Sequence, residues 1–379
     1  PAPQQPAPAE EEAGPDLSPQ KYDSKIRFHL TRLQRYFMRA ILKRLASWEP
    51  LEEPQPGYTL LIGCPAEMTP VLHVNLMMIM KQQQQHLREV IVVFDQDRDR
   101  MGSEAERKLR QAFPTLPLCV LHYTPWQARL LRLIGWGWCY SWLSWSLGIA
   151  QTRTRYALLH DLDAMLLRRD LLEERYCAIV QSDAQYVGVR YYHGNGIQPQ
   201  DRLAVTFELM FDARFVREHF EPIDLFNHVG EHRGRRVEYD TFLHAQHQAG
   251  YALELPVQPQ DMVHPSQLFC QFTELKRKRI YTPPTRNSLP LLPYFFYLGG
   301  EEKPLLEQTR ALDRAKGTQV PFFGYVMDLA KLSQHHLSWL AEQAYRLERA
   351  AVGQVRPEVT RYFESLGCLI ARRDEMNRG

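Results

Sequence analysis

Two aspartates one residue apart, Asp161 and Asp163, end the apolar run Tyr156 to His160 in LGIAQTRTRYALLHDLDAML. In an extended segment such a pair points to one side, so both carboxylates can face one hard divalent cation and its phosphate oxygens. Oxygen ligands of this kind suit Mg²⁺ or Mn²⁺. Read alone, the pair is also an acidic turn after a strand; its position raises it above that. A second apolar run, REVIVVFDQD, ends in Asp95 and Asp97, and open α/β sheets bind ligands at the carboxyl ends of their strands. Farther on, VEYDTFLHAQHQAGY carries Glu238 and Asp240, and DMVHPSQL carries His264, whose ring Pro265 fixes near a turn. Asp240-Thr241 also fits a helix cap, and His264, one of 14 histidines, an ordinary core or surface residue.

The elements that must position these residues alternate between strand and helix. Tyr58 to Gly63 (YTLLIG) reads as a strand buried on both faces and stopped by Pro65, with helical spacing from Pro70 to about His86. A helix over 103–112, a third strand in LPLCVLHY and a helix through Ile149 follow. The pattern predicts an α/β fold with a mixed, mainly parallel sheet flanked by helices. Beyond residue 271 the prolines 283, 284, 290 and 293 break the chain, and Leu329 to Leu347 and Arg356 to Ala371 are amphipathic. The expected organisation is a disordered tail over 1–24, a basic amphipathic helix and linker over 25–52, a catalytic domain over 53–270 and a helical extension over 271–379 that packs on it.

Between Lys25 and Ser47, Ile26, Leu30, Leu33, Phe37, Ile41 and Leu45 share one face, lysines and arginines fill much of the rest, and no acid interrupts them. Such a helix either lies on an anionic membrane or, the favoured reading, packs its apolar face on the domain. Five of the seven tryptophans fall between 126 and 145; Trp138, Trp142 and Trp145 have core spacing, whereas Trp126 and Trp136 are the better functional candidates.

Composition narrows the function. The 379 residues carry 46 basic and 44 acidic side chains, so no global field draws the chain onto nucleic acid. Six single cysteines, with no Cys-x-x-Cys pair, read as reduced thiols in a cytoplasmic protein. The absence of Gly-x-Gly-x-x-Gly, Gly-Lys-Ser/Thr and His-Glu-x-x-His leaves a nicotinamide dehydrogenase, a P-loop kinase and a zincin without support. No stretch approaches the roughly 20 apolar residues of a membrane span.

Taken in order, these segments resemble a nucleotide-sugar glycosyltransferase of the GT-A fold, closest in pattern to the large family-two group. LLIGCPAEMTP is similar to the family's first nucleotide-binding loop, with Glu67-Met68 in place of the usual Tyr-Asn, and IVVFDQD to the strand whose last carboxylate, here Asp95, recognises the nucleoside. LGIAQTRTRYALLHDLDAML matches the helix, strand and Asp-x-Asp almost position for position. LMFDARFVREHF and VEYDTFLHAQHQAGY resemble the family's strand before the catalytic helix and its Glu-Asp segment, whose dipeptide is Tyr239-Asp240 here.

The resemblance covers roughly residues 58–265 and implies a hexosyltransferase-like enzyme. A sugar would move from a nucleoside-diphosphate donor to a glycan or other hydroxyl acceptor. Pro65, Glu67, Asp95 and Asp161 would lie on the donor; Asp161, Asp163 and His264 would hold Mn²⁺ or Mg²⁺. Asp240 would be the base of an inverting reaction, with Glu238 as the alternative. Outside the resemblance, the loop YYHGNGIQPQD reads either as an acceptor lining through His193 and Asn195 or as a tight turn at Gly194 and Gly196, and the basic helix over 25–47 as a peripheral membrane contact. Two rival readings remain: a nucleotidyltransferase on a related fold, and a non-catalytic binding or scaffold protein.

Overall fold

Runs buried on both faces of the central strands, such as Leu60 to Ile62 and Val90 to Phe94, form the centre of the molecule. The computed structural model describes residues 20–101, 103–250 and 252–376; residues 1–19 of the expected tail and Tyr251 lie outside them. After α1 (Lys25–Leu42), the strands β1 (Gln55–Cys64), β2 (Leu87–Phe94), β3 (Leu118–His122) and β4 (Thr154–His160) are linked by α2 (Thr69–Met80), α3 (Arg98–Met101), α4 (Ser103–Ala112), α5 (Pro125–Ile134) and α6 (Gly137–Gln151). There follow β5 (Met165–Leu166), α7 (Leu171–Gln181), β6 (Tyr186–Gly188), β7 (Glu208–Asp212), α8 (Ala213–His219), β8 (His228–His232), β9 (Arg235–Tyr239), α9 (Leu243–Ala249), β10 (Ala252–Glu254), β11 (Met262–Val263) and α10 (Leu268–Lys278).

Seven strands make one sheet in the order β10-β6-β7-β4-β1-β2-β3. Every neighbouring pair is parallel except those of β7, which runs against both β4 and β6. This is the mixed, mainly parallel α/β sheet expected. Alternate residues supply two cores. Leu60, Ile62, Val90, Val92 and Leu158 pack with α2 on one side. Leu61, Ile91, Val93, Ala157 and Leu159 pack with Trp142 and Leu143 of α6 on the other. Because β1 lies between β2 and β4, the carboxyl ends of all three share one edge, and Pro65 to Glu67, Asp95 and Asp161 to Asp163 follow them there.

The boundary expected at 270/271 falls inside α10, whose Leu268, Phe272 and Leu275 belong to the same core as β1. The remaining elements are β12 (Ile280–Tyr281), α11 (Leu292–Leu298), α12 (Glu302–Arg314), β13 (Gln319–Phe322), β14 (Tyr325–Asp328), α13 (Gln334–Val352) and α14 (Pro357–Met376). Their apolar faces close over one side of the sheet, so the helical extension completes that core rather than forming its own.

The first helix corrects the favoured reading. It ends at Leu42, and its buried residues are Phe28, Arg35 and Leu42, while Ile26, Leu30, Leu33, Phe37 and Ile41 face solvent. Polar contacts decide this: Arg35 Nη2 lies 2.7 Å from Glu238 Oε1 and Arg35 Nε donates to Asn227 at 2.7 Å, drawing the basic face inward. The Arg35 guanidinium also lies 4.6 Å and 4.9 Å from the ring centres of Trp136 and Trp138. Residues 20–24, placed in the tail by composition, are folded: Tyr22 is buried and donates to Glu238. Trp142 and Trp145 are core, whereas Trp138 stands at the surface. All six cysteines are free.

Gly299, at the end of α11, sits against the start of α2, and a β-carbon there would fall on the Pro70 carbonyl oxygen. Backbone cannot swing aside as a side chain does, so Gly299→Ala is expected to lower unfolding free energy by about 1–3 kcal/mol. Denaturant titration checks this, and an unchanged midpoint contradicts the tight α2–α11 fit.

Candidate active site

The Asp-x-Asp turn is built by the strands around it. As β4 ends, the Asp161 N–H donates to the Phe207 carbonyl at 2.8 Å and the Ala164 N–H to the Asp161 carbonyl at 3.0 Å. The chain then enters β5, which pairs antiparallel with β11, Met165 opposite Val263. This two-residue ribbon brings His264 back across the aspartates from a hundred residues away. Both Leu167 and Arg168 N–H donate to the Asp261 carbonyl, and the Arg168 guanidinium lies 3.1 Å from the Asp261 carboxylate. His264 Nε2 stands 3.7 Å from Asp161 Oδ2 and 3.6 Å from Asp163 Oδ1, with its ring stacked on Phe207 at 4.1 Å.

One donor atom from each of Asp161, Asp163 and His264 lies within 4.8 Å of the others. Two oxygens and a nitrogen suit Mn²⁺ or Mg²⁺, and with metal–ligand bonds of about 2.1 Å adjacent donors stand about 3 Å apart, so the trio needs to close only slightly. Asp163 is buried, which pushes its carboxyl up to about 7 against the pull of His264, with Asp161 raising it further. Burial lowers His264, but the two aspartates outweigh it and raise the ring. The cluster therefore holds protons that a cation would displace.

Across the edge, Asp240 follows β9. Desolvation pushes its carboxyl up to about 6, opposed by the Thr241 N–H at 2.7 Å and reinforced by Glu238 and Asp161, whose field reaches it. The helix-cap reading does not describe it: α9 starts at Leu243, and the residue before, Phe242, is left-handed at φ +74° with no side-chain cap. Glu238 is already engaged by the N-terminal segment. Its two carboxylate oxygens take Arg35 and Tyr22, each at 2.7 Å, and only 3% of the residue is exposed.

On the nucleotide side of the expected site, Asp95 Oδ1 accepts the Ala66 N–H at 3.0 Å just after Pro65. Burial and Glu67 raise its carboxyl, while that N–H and Lys276 lower it, for a net rise. Glu67 is paired with Lys276 of α10. Of the loop residues, His193 is exposed, while Asn195 takes Lys21 Nζ at 2.7 Å and donates to Tyr192 at 2.8 Å, so it holds the loop.

The residues that seat the Asp-x-Asp turn escaped sequence reading. The Asn75 amide nitrogen, on α2, lies 3.0–3.2 Å from the carbonyl oxygens of Asp161, Leu162 and Ala164 and 3.1 Å from His160 Nε2. A nitrogen facing three carbonyls is a donor, so His160 accepts there and its Nδ1–H faces Glu208, which is itself beside Arg175 at 3.6 Å. The available signal was a charged residue inside an apolar strand, as Glu208 is in FELMF. Asn75→Ala removes the donor and is expected to cost about 1–3 kcal/mol of stability. It is also expected to weaken Mn²⁺ binding about 10–100-fold, read by calorimetry. Unchanged metal affinity contradicts a positioning role.

No protein-family model matches the chain, and no curated protein matches its sequence. Among solved structures it is similar to the mannosyltransferase PcManGT from Pyrobaculum calidifontis in complex with GDP-Man and Mn²⁺, at 16% identity over 86% of this chain and 96% of that one, with a TM-score of 0.37. It is also similar to the galactosyltransferase LgtC in complex with donor and acceptor sugar analogs, at 11% identity, 80% and 99% coverage and a TM-score of 0.41. A third is S. aureus TarS 1-349, at 11% identity, 82% and 90% coverage and a TM-score of 0.35.

Proposed function

We propose that the protein transfers a sugar from a nucleoside-diphosphate donor to a hydroxyl acceptor, with inversion. The observation that carries this reading is the meeting of Asp161, Asp163 and His264 at one sheet edge with Asp240 close enough to feel Asp161. Asp161, Asp163 and His264 would hold Mn²⁺ or Mg²⁺. When bound, the cation supplies positive charge where the departing diphosphate gathers negative charge. Pro65, Asp95 and the Ala66 N–H shape the floor for the nucleoside, and Glu67, tethered to Lys276, borders it.

Asp240 would take the acceptor's proton as its oxygen attacks the anomeric carbon. A carboxyl raised to about 6 suits this task, since it is ionised at neutral pH yet basic enough to accept a proton. Glu238 is not assigned that role, because its charge is spent on Arg35.

The test is calorimetric titration of UDP, GDP and CDP, each with and without Mn²⁺, on the native protein, Asp163→Asn and Asp240→Asn. One diphosphate should bind in a metal-dependent way, Asp163→Asn should lose this binding, and Asp240→Asn should keep it while transfer falls about 10²–10⁴-fold. If no diphosphate binds in either condition, the scaffold reading replaces this one; release of pyrophosphate from a nucleoside triphosphate favours the nucleotidyltransferase.

The base must be unprotonated to act. With metal saturating, the transfer rate should therefore fall as pH drops through about 6, the value to which Asp240 is raised. Below saturation, apparent Mn²⁺ affinity should rise with pH through about 7, as Asp163 gives up its proton. A flat profile from pH 5 to 8 contradicts both assignments.

A further inference from the structure

The outward stripe of α1 has no partner among the described residues. Ile26 is 74% exposed, Leu30 63%, Leu33 52%, Phe37 57% and Ile41 50%, with Tyr36 beside them at 68%. At 100° per residue, those five aliphatic and aromatic side chains span about 80° of the helix circumference, opposite the buried face of Phe28, Arg35 and Leu42. Lys25 and Arg32 flank the stripe on one side and Arg27 on the other, all exposed, with exposed Arg44 just past the helix end. No acid occurs from Lys25 through Trp48. Arg39 and Lys43 already meet Asp224 and Glu221 in the domain.

α5 continues the pattern. Its Gln127 donates to the Leu45 carbonyl at 2.7 Å, tying it to the chain just beyond α1. Trp126 and Leu133, one on each end of α5, are 65% and 85% exposed, and Arg129 and Arg132 between them are exposed too. No helix among the described residues is long and apolar enough to cross a membrane.

We propose that α1, with the adjoining end of α5, docks on the surface of an anionic lipid bilayer, the helix lying parallel to it. The stripe enters the headgroup boundary, and the flanking lysines and arginines reach lipid phosphates. Charge selects this occupant over a second copy of the chain, because two-fold pairing through α1 would set one acid-free basic face against another. Anchoring is independent of the stripe: Arg35, Arg39 and Lys43 fasten the helix from its inner side, so the outer residues can be changed without removing those contacts.

The experiment is co-sedimentation of the full chain with vesicles of phosphatidylcholine, alone or with about 30% phosphatidylglycerol. Binding is expected only to the anionic vesicles, and to weaken in about 0.5 M salt. Leu30→Glu/Leu33→Glu/Phe37→Glu should cut partitioning about tenfold or more with unfolding temperature unchanged. Lys25→Glu/Arg27→Glu/Arg32→Glu should remove the preference for phosphatidylglycerol. Absence of binding to either vesicle overturns the proposal, as does a dimer in sedimentation velocity that the Leu30→Glu triple variant dissolves. Lipid binding is read without donor or acceptor, so its failure leaves the transfer reading standing, and the converse holds.

Discussion

A fully buried carboxylate, Glu208 on β7, is the constraint on which the centre of the molecule depends. A buried charge is tolerated only when it is matched, and here His160 on β4 and Arg175 on α7 match it from two sides. Burial raises Glu208 while these partners pull it down, and the partners prevail. The match fixes the imidazole, the imidazole takes the Asn75 amide, and the amide gathers the three carbonyls of the Asp-x-Asp turn. A polar chain thus runs from the interior of the sheet to the edge where the acids emerge. Losing either partner would leave a charge stranded among apolar side chains, a more severe change than loss of an exposed ion pair.

Much of the fold was legible because a parallel sheet leaves a plain signature: runs such as Leu60 to Ile62 and Val90 to Phe94 are apolar throughout and buried throughout. Asp161 and Asp163 were legible for the same reason, since a strand's end locates its edge. His264 could be suspected from its setting, yet only the β5–β11 pairing brings it to the aspartates. Asn75, His160 and Arg175 were hidden, because contacts such as that of Asn75 with His160 span 85 residues, and only Glu208, charged within an apolar strand, left a local sign. Glu238 misled for the same reason: beside Asp240 in sequence, it is claimed by Arg35, 203 residues away.

The first helix shows how far amphipathicity alone can carry. Its apolar stripe is as regular as that of a packed helix, and periodicity cannot say which side faces the protein. The answer came from Arg35, whose charge is satisfied inside by Glu238 and Asn227 and whose flat guanidinium rests against two indoles. Polar specificity turned the helix, and the hydrophobic side was left outward. In the C-terminal extension the reverse holds: α11 to α14, expected to pack on the domain, turn their apolar faces inward to finish the core that β1 and β2 begin.

Phe242 bears on how the Asp240 carboxylate is aimed. Its backbone is left-handed, a conformation that side chains with a β-carbon avoid and glycine takes freely. A fully buried ring, packed edge-on to Tyr186 and tilted against Phe211, holds it there, and its N–H donates to the Leu225 carbonyl at 2.7 Å. The bend that follows Asp240 is thus set by the fit of an aromatic plug into a socket rather than by charge. Salt and proton concentration, which loosen ion pairs, leave such a fit untouched, so the direction of the carboxylate should outlast changes of solution that alter its charge.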